Sequence, residues 1–318
     1  MEGIKLKNKK IIVTGGAGVI GRELVKKLLE KGAIIRCFDI APEPRFFSGK
    51  VEYCKRDLTT LNPVEFTSFN PDIIMHLAAT FERTEEDSEF WENNFENNII
   101  LSHKVIDAAK KCKNLRKFIF TSSYLIYSPE LYLRKRPQDN FIKLKEADLI
   151  STRNLCGAAK YYTEKELEFI SKMYGHFISI SARIFRVYGR GSRDVISRWV
   201  RMALNGDELI VFQKENMFDY IFAEDVAEGL IKMAENVNRD EIINLGTGTA
   251  RRIEDVIKIL RDQIPNIKVK EIEKEELFEA SCADISKLIK LIGWQPKTAL
   301  EEGIRKIVDY EKRNLEGG

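Results

Sequence analysis

The stretch from residue 14 to residue 21 constrains the fold of this chain more than any other. It reads Thr-Gly-Gly-Ala-Gly-Val-Ile-Gly, follows an apolar run at residues 11–13, and opens an amphipathic helix predicted over residues 23–31. Glycines here let the chain turn sharply, let backbone amides approach a phosphate, and let the helix pack closely on the sheet. A strand, a glycine-rich turn and a helix in this order predict a dinucleotide-binding unit.

The acidic residue Asp39 indicates which dinucleotide this unit binds. It ends the next predicted strand, at residues 33–38. A carboxylate at this point suits the free ribose hydroxyls of NAD and repels the additional phosphate of NADP. The sequence therefore predicts NAD as the cofactor.

Charge and cysteine content exclude several classes of protein. The chain has 52 Lys and Arg against 49 Asp and Glu, spread along its 318 residues, so neither a nucleic-acid partner nor a membrane surface is predicted. The five cysteines lack a Cys-x-x-Cys spacing, which predicts free thiols in a reducing compartment, the cytoplasm. The three histidines are scattered, and no metal site is predicted. No apolar segment is long enough to span a bilayer.

Apolar runs alternate with helical patterns along most of the chain. This alternation predicts an α/β fold, with a Rossmann-type doubly wound parallel sheet and a smaller mixed α/β C-terminal substrate domain. We assign residues 1–182 plus about 218–248 to the NAD-binding domain, and about 183–217 plus 249–318 to the substrate-binding domain. The predicted strands are 11–14, 33–38, 51–54, 72–79, 117–122, 177–184 and 242–245, and later helices are 194–205, 224–236 and 252–263.

Further motifs occur in a fixed order along nearly the whole chain, and with them the sequence resembles the extended short-chain dehydrogenase/reductases. This group contains nucleotide-sugar epimerases, dehydratases and ketoreductases. Besides the glycine-rich turn, the motifs lie at residues 57–58, 76–79, 120–123 with 126–127, 183–189, 219–227, 244–248, and 283–287 with 293–296.

The resemblance implies an NAD-dependent oxidoreductase or epimerase that transfers hydride at a secondary alcohol, usually C4, of a nucleotide sugar. Ser123 would then hydrogen-bond the reacting oxygen. It also implies a homodimer formed through helices near residues 95–112 and 157–173. The implied NAD contacts are Gly15, Gly18, Val19, Ile20, Gly21, Asp39, Ile40, Asp57, Leu58, Leu77, Ala78, Ala79, Asn98, Thr121 and Lys160.

The catalytic Tyr-x-x-x-Lys signature of this group has two candidate alignments. Tyr161 and Lys165 have the required spacing, whereas the alignment on Lys160 places Cys156 at the tyrosine position. We favour the second, because the neighbouring motifs then stand at the family's distances and because capping residues at 151–154 place residue 156 in the first turn of a helix. A cysteine side chain is too short to reach a substrate hydroxyl bound in the usual place. Tyr124 either replaces the missing group or only shapes the pocket, and a water is the other alternative.

Departures from the family pattern also affect the substrate site. Phe218 stands in place of an arginine that commonly meets the diphosphate, and Arg186 in place of an asparagine. The phosphate contact is therefore predicted at Arg186, with Arg190, Arg193 or Arg198, unless the substrate carries no diphosphate. Tyr124 stands where a dehydratase of this group carries an acidic residue, so the sequence does not predict dehydration. The alternative function is a catalytically silent NAD-binding sensor or scaffold, which the cysteine favours.

Overall fold

The protein is described by a computed structural model over residues 4–81, 86–273 and 275–316. The outermost ends of the two predicted domains, residues 1–3 and 317–318, lie outside this part. The strands are β1 (Lys10–Thr14), β2 (Ile34–Asp39), β3 (Glu52–Lys55), β4 (Ile73–His76), β5 (Lys117–Ser123), β6 (Leu133–Arg134), β7 (Ile142–Leu144), β8 (Ile178–Ile184), β9 (Arg186–Tyr188), β10 (Leu209–Phe212), β11 (Met217–Phe218), β12 (Tyr220–Phe222), β13 (Glu241–Leu245), β14 (Arg251–Arg252), β15 (Val269–Ile272) and β16 (Phe278–Ala283). The α-helices are α1 (Val19–Glu30), α2 (Val64–Thr67), α3 (Ser88–Asn94), α4 (Leu101–Ala109), α5 (Leu155–Tyr174), α6 (Val195–Leu204), α7 (Ala223–Asn236), α8 (Ile253–Gln263), α9 (Ser286–Ile292) and α10 (Leu300–Glu316).

Seven of the described strands form a parallel sheet in the order β3-β2-β1-β4-β5-β8-β13. The chain starts at β1, winds outward to β3, and then returns to the other side of β1 through β4. In sheets of this kind the crevice beyond the carboxyl ends of the two strands at the reversal binds the ligand. The strand order therefore places the site above β1 and β4.

Both faces of this sheet are buried, as alternating side chains of β1 show. Ile11 and Val13 pack in a core with α1 and α7, whereas Ile12 packs on the opposite face with α4 residues such as Val105. The period of two in a strand sends successive side chains to opposite faces, so a run that is apolar throughout fits a sheet covered on both sides. The predicted Rossmann-type sheet is confirmed.

The later part of the chain builds a smaller unit with its own core. Trp199 of α6, Leu260 of α8 and Ile304 of α10 belong to one apolar cluster. Beside it lies a mixed sheet in which β11 runs antiparallel to β14 and parallel to β16. Helix α9 instead packs on the parallel sheet through Leu288 and Ile292. Over the described residues, no helix combines the length and apolarity needed to cross a membrane.

Two predicted boundaries near the site are wrong. Helix α1 begins at Val19, four residues earlier than predicted, because Gly18 is extended and its carbonyl accepts the amide of Arg22. The strand predicted over 72–79 ends at His76, after which the amide of Leu77 still donates to the carbonyl of Thr14 and the chain leaves the sheet. The first change brings the start of α1 directly to the glycine-rich turn, and the second lengthens the loop after β4 at the carboxyl edge of the sheet.

Candidate functional site

The glycine-rich turn lies at the carboxyl end of β1 and leads directly into α1. Gly15 has a φ of +74°, and a Cβ at this residue would lie 2.6 Å from the amide nitrogen of Ala78. A Cβ at Gly21 would lie 2.2 Å from the carbonyl oxygen of Gly15. These two glycines therefore let the turn, the loop after β4 and α1 come into contact.

The start of α1 has the properties of an anion site. Its N-cap Gly18 provides no side-chain cap, and its first turn has no acidic residue. The first amides of a helix carry partial positive charge and need an acceptor, which a pyrophosphate supplies. The amides of Val19 and Ile20 belong to this turn, so the cradle fits the predicted dinucleotide.

Asp39 faces this turn from the end of β2. One carboxylate oxygen accepts a hydrogen bond of 2.9 Å from the amide of Ala17, and the other accepts one of 2.9 Å from the amide of Ala41. The side chain is partly buried, and Ile40 beside it is 70% exposed. The carboxylate therefore stands at the mouth of the cradle, where ribose hydroxyls can reach it. Just after the next strand, β3, Asp57 caps a 3-10 turn by accepting the amide of Thr59, and the adjacent Leu58 is buried.

A buried histidine joins the two strands below the cradle. His76 Nδ1 lies 2.7 Å from Thr14 Oγ1 and its Nε2 lies 3.1 Å from Ser102 Oγ of α4. Burial, with a smaller contribution from the charge of Lys160, lowers the pKa of His76 to about 3. The ring is therefore neutral at physiological pH and connects β1, β4 and α4 by hydrogen bonds. Thr121 joins the same region by donating 3.1 Å to the carbonyl of His76.

Asn98 holds the loop that follows β4. It lies in a π-helical segment, Phe95–Ile100, between α3 and α4. Its amide oxygen accepts from the backbone amide of Thr80 at 3.0 Å, and its nitrogen donates to the Thr80 carbonyl at 3.1 Å. The same nitrogen lies 3.8 Å from the sulfur of Cys156. Asn98 thus shapes the backbone that would border the cofactor, next to Leu77, Ala78 and Ala79.

The start of α5 brings the predicted catalytic residues to the end of β5. Asn154 caps α5 by accepting the amide of Gly157 at 2.8 Å, so Cys156 lies in the first turn as predicted. A Cβ on Gly157 would lie 2.6 Å from the carbonyl oxygen of Leu125, which shows how closely α5 approaches the turn after β5. Ser123, half-buried, ends β5 and accepts the amide of Leu125 at 3.2 Å.

Lys160 lies one helical turn after Cys156, on the face of α5 directed at the sheet. Its Nζ is 4.8 Å from the centre of the Phe120 ring of β5. Burial lowers its pKa to about 8, and the neighbouring Cys156 partly opposes this change. Lys165, the alternative lysine, is instead at the surface with its side chain 53% exposed and paired to Glu168 at 2.9 Å. The structure therefore brings Lys160, and not Lys165, to the end of β5, while the role of Cys156 stays a prediction.

Tyr124 extends from β5 into the smaller unit. It is 3% exposed, stacks on Phe185 with ring centres 5.1 Å apart, and donates to Oε1 of Glu279 at 3.1 Å. Its hydroxyl is thus held by a buried carboxylate of β16. Arg186 of β9 lies on the same side, with its guanidinium 4.5 Å from the Phe218 ring centre.

The other predicted substrate residues have different surroundings. Arg190 is paired with Glu23 at 2.7 Å and with Glu224 at 2.6 Å, so its charge is already compensated by protein. Arg198 lies exposed on α6. In the described part of the chain, no cluster of three or more His, Cys, Asp or Glu could hold a metal ion.

Sequence reasoning missed Glu279 and Arg153, which form an ion pair beside Tyr124. The two residues are 126 positions apart. The sequence analysis used Arg153 only as part of the capping segment 151–154, and Glu279 belongs to none of its motifs. A charged residue within the apolar pattern of β16 was the available signal, because a charge is rarely buried unless it is paired.

The sequence profile of the NAD dependent epimerase/dehydratase family matches residues 11–246, which is most of the chain. The chain belongs to this family. The predicted family is thereby confirmed, and with it the NAD dependence that the family's description names. The match spans the cradle, Ser123, Cys156, Lys160 and Arg186.

Known relatives are similar over nearly the whole chain. A trifunctional UDP-glucose 4,6-dehydratase/UDP-4-keto-6-deoxy-D-glucose 3,5-epimerase/UDP-4-keto-L-rhamnose-reductase of Arabidopsis thaliana is 26% identical over 99% of this chain and 49% of its own length. This chain thus spans about half the length of that relative. A UDP-N-acetyl-alpha-D-glucosaminuronate decarboxylase of Bacillus cytotoxicus is 26% identical, covering 95% of this chain and 97% of its own. The structure of UDP-N-acetylglucosamine 4-epimerase from Methanobrevibacter ruminantium M1, in complex with UDP-N-acetylmuramic acid, superimposes with a TM-score of 0.83 at 26% identity over 97% of this chain and 99% of its own.

Proposed function

We propose that this protein is an NAD-dependent oxidoreductase or epimerase of a UDP-sugar, with hydride transfer at a secondary alcohol, C4. The observation that carries the proposal is the meeting of an open anion cradle, an acid at its mouth, and Ser123 and Lys160 at one edge of the sheet. Relatives whose names include UDP-sugar epimerases and decarboxylases support the substrate class.

The residues that would hold NAD are spread along the carboxyl edge. The amides of Gly18, Val19 and Ile20 suit the pyrophosphate, and Asp39 suits the adenosine ribose. Lys160 suits the nicotinamide ribose hydroxyls, since an ammonium group donates up to three hydrogen bonds. When bound, NAD supplies the hydride acceptor and donor.

Proton handling falls to the protein. Ser123 is placed to donate a hydrogen bond to the reacting oxygen, and Lys160 supplies positive charge beside it. Cys156 lies 3.8 Å from Asn98 and 3.9 Å from the Thr80 carbonyl, within the wall rather than at the surface of the cleft. We therefore assign the proton transfer to a water admitted beside Cys156, with Tyr124 shaping the pocket while its hydroxyl is bound to Glu279.

The first experiment asks whether the purified protein carries nicotinamide and responds to UDP-sugars. Bound cofactor is released by denaturation and identified, and the nicotinamide absorbance of the NAD-loaded protein is followed after addition of UDP-glucose, UDP-N-acetylglucosamine or UDP-glucuronate. We expect bound NAD and a change with at least one of these compounds. Absence of both results would contradict the proposal.

A second experiment distinguishes an active enzyme from a catalytically silent sensor. Family membership does not favour the silent sensor. Lys160→Ala should lower turnover of an enzyme. Cys156→Tyr restores the family's usual proton-transfer group, so a silent protein should gain activity only with this change. Turnover that is present in the wild type and lost in Lys160→Ala supports the enzyme.

We also propose that the protein is a cytoplasmic homodimer. The outward side of α5 exposes three large apolar side chains, with Tyr162 49%, Phe169 68% and Met173 65% exposed. Their spacing places them on one helical stripe, and a stripe of this kind usually marks an interface. All five cysteines are free thiols, which fits a reducing compartment.

A further inference from the structure

A buried carboxylate lies at the centre of a polar cluster in the smaller unit. Glu279 is 3% exposed. Its Oε1 accepts from the hydroxyl of Tyr124 at 3.1 Å and from that of Ser281 at 2.6 Å. Its Oε2 pairs with Arg153 and lies 3.8 Å from a guanidinium nitrogen of Arg186. One carboxylate therefore contacts two guanidinium groups from different parts of the chain, the segment just before α5 and strand β9.

The two arginines, unlike Glu279, reach solvent. Their side chains are 30% and 31% exposed. Arg186 stacks on Phe218 at 4.5 Å, and Arg153 lies over the ring of Tyr132 at 5.9 Å. Stacking holds the plane of a guanidinium while leaving donors at its edge for a second partner.

We propose that Arg153 and Arg186 form a clamp for an anionic group of the substrate, with Glu279 as the positioning residue that keeps the two guanidiniums together. This inference rests on the proposed function. Guanidinium groups bind pairs of anionic oxygens by two parallel hydrogen bonds, which suits both phosphate and carboxylate. Tyr124 follows Ser123 directly and touches Glu279, so the clamp adjoins the residue expected to hold the reacting oxygen. The anionic group is either the diphosphate or a carboxylate on the sugar.

Binding measurements on the NAD-loaded protein test the clamp and identify the anionic group. Dissociation constants for UDP-glucose and UDP-glucuronate are measured by calorimetry for the wild type, Arg186→Met and the double variant Arg153→Met with Glu279→Gln. The double variant removes the carboxylate that would otherwise stay buried without its main partner. We expect a loss of about tenfold or more, the range of one charge-assisted hydrogen bond. Equal losses for both compounds assign the diphosphate, and a loss confined to UDP-glucuronate assigns the sugar carboxylate. Unchanged affinity for both overturns the clamp.

Glu279→Gln tests the positioning role separately. We expect KM for the UDP-sugar to rise about tenfold with kcat and NAD affinity nearly unchanged, because the arginines lose their shared partner. Tighter binding would show that Glu279 competes with the substrate anion and would overturn its positioning role. Arg305→Met, at an exposed site on α10, is the matched control for the arginine variants. A wild type that binds neither UDP-sugar contradicts the proposed function as well, whereas a binding wild type with unaffected variants contradicts the clamp alone.

Discussion

Burial lowers the pKa of Lys160 to about 8, and this gives NAD binding a defined dependence on pH. The ammonium form, which donates to ribose hydroxyls, is lost as the pH rises through that value. We therefore expect the dissociation constant for NAD to increase above pH 8 in the wild type. In Lys160→Met it should be about 10- to 100-fold higher at neutral pH, the range of a hydrogen bond to a charged group, with no such pH dependence. Fluorescence titration measures both. Lys165→Met on the same helix is the contrast, and a larger effect there would favour the alternative alignment.

Gly21 tests the close packing of the cradle at the level of one methyl group. In Gly21→Ala the new Cβ would lie 2.2 Å from the carbonyl oxygen of Gly15, so the turn or α1 has to shift. We expect the free energy of unfolding to fall by about 1–3 kcal/mol and NAD binding to be lost. Gly18→Ala is the matched variant, since its Cβ would lie 3.2 Å from the same oxygen. Chemical denaturation compares the two, and equal stability losses would contradict this account of the turn.

At the scale of elements, His76 links β1, β4 and α4 as a neutral ring. Its folded-state pKa of about 3 lies below the value of an unfolded histidine, so the unfolded chain binds the additional proton. Stability should therefore fall as the pH drops from about 6.5 toward 3, by several kcal/mol, because one pKa unit corresponds to about 1.4 kcal/mol. Urea unfolding at successive pH values should show a shallower fall in His76→Gln.

Lys117 connects β5 to the end of α7. It is 2% exposed, and its Nζ donates to the carbonyl oxygens of Ala234 and Val237 at 2.6 Å each. Lys117→Met keeps the apolar stem but leaves both carbonyls without this donor. We expect the free energy of unfolding to fall by about 1–3 kcal/mol. Thermal and urea unfolding measure this, with Lys104→Met on the exposed side of α4 as control. A loss equal to that of the control would show that water replaces the lysine.

At the scale of the whole molecule, the sequence predicted the parallel sheet and its helices within a few residues because their signals are local. Strand periodicity, glycine turns and caps such as Asn154 act over a few positions. The pairing of Glu279 with Arg153 and Arg186 has no local signal, since these side chains meet only after β16, β9 and the segment before α5 are assembled. The ion pairs of Arg190 could not be predicted from the sequence either, because its partners Glu23 and Glu224 lie on two helices that are distant along the chain.

The association of two chains is the prediction that concerns the whole molecule. A dimer through α4 and α5 would cover the stripe of Tyr162, Phe169 and Met173, and burying such side chains is favourable by about 1.5–3 kcal/mol each. Phe169→Glu places a charge in the middle of that stripe, so we expect it to shift the protein from dimer to monomer. Light scattering after size exclusion measures the mass. Val64→Glu introduces the same charge at a side chain 63% exposed on α2, outside the proposed interface, and should leave the dimer intact. A wild type that is monomeric, or a Phe169→Glu variant that remains dimeric, would contradict an interface at this face.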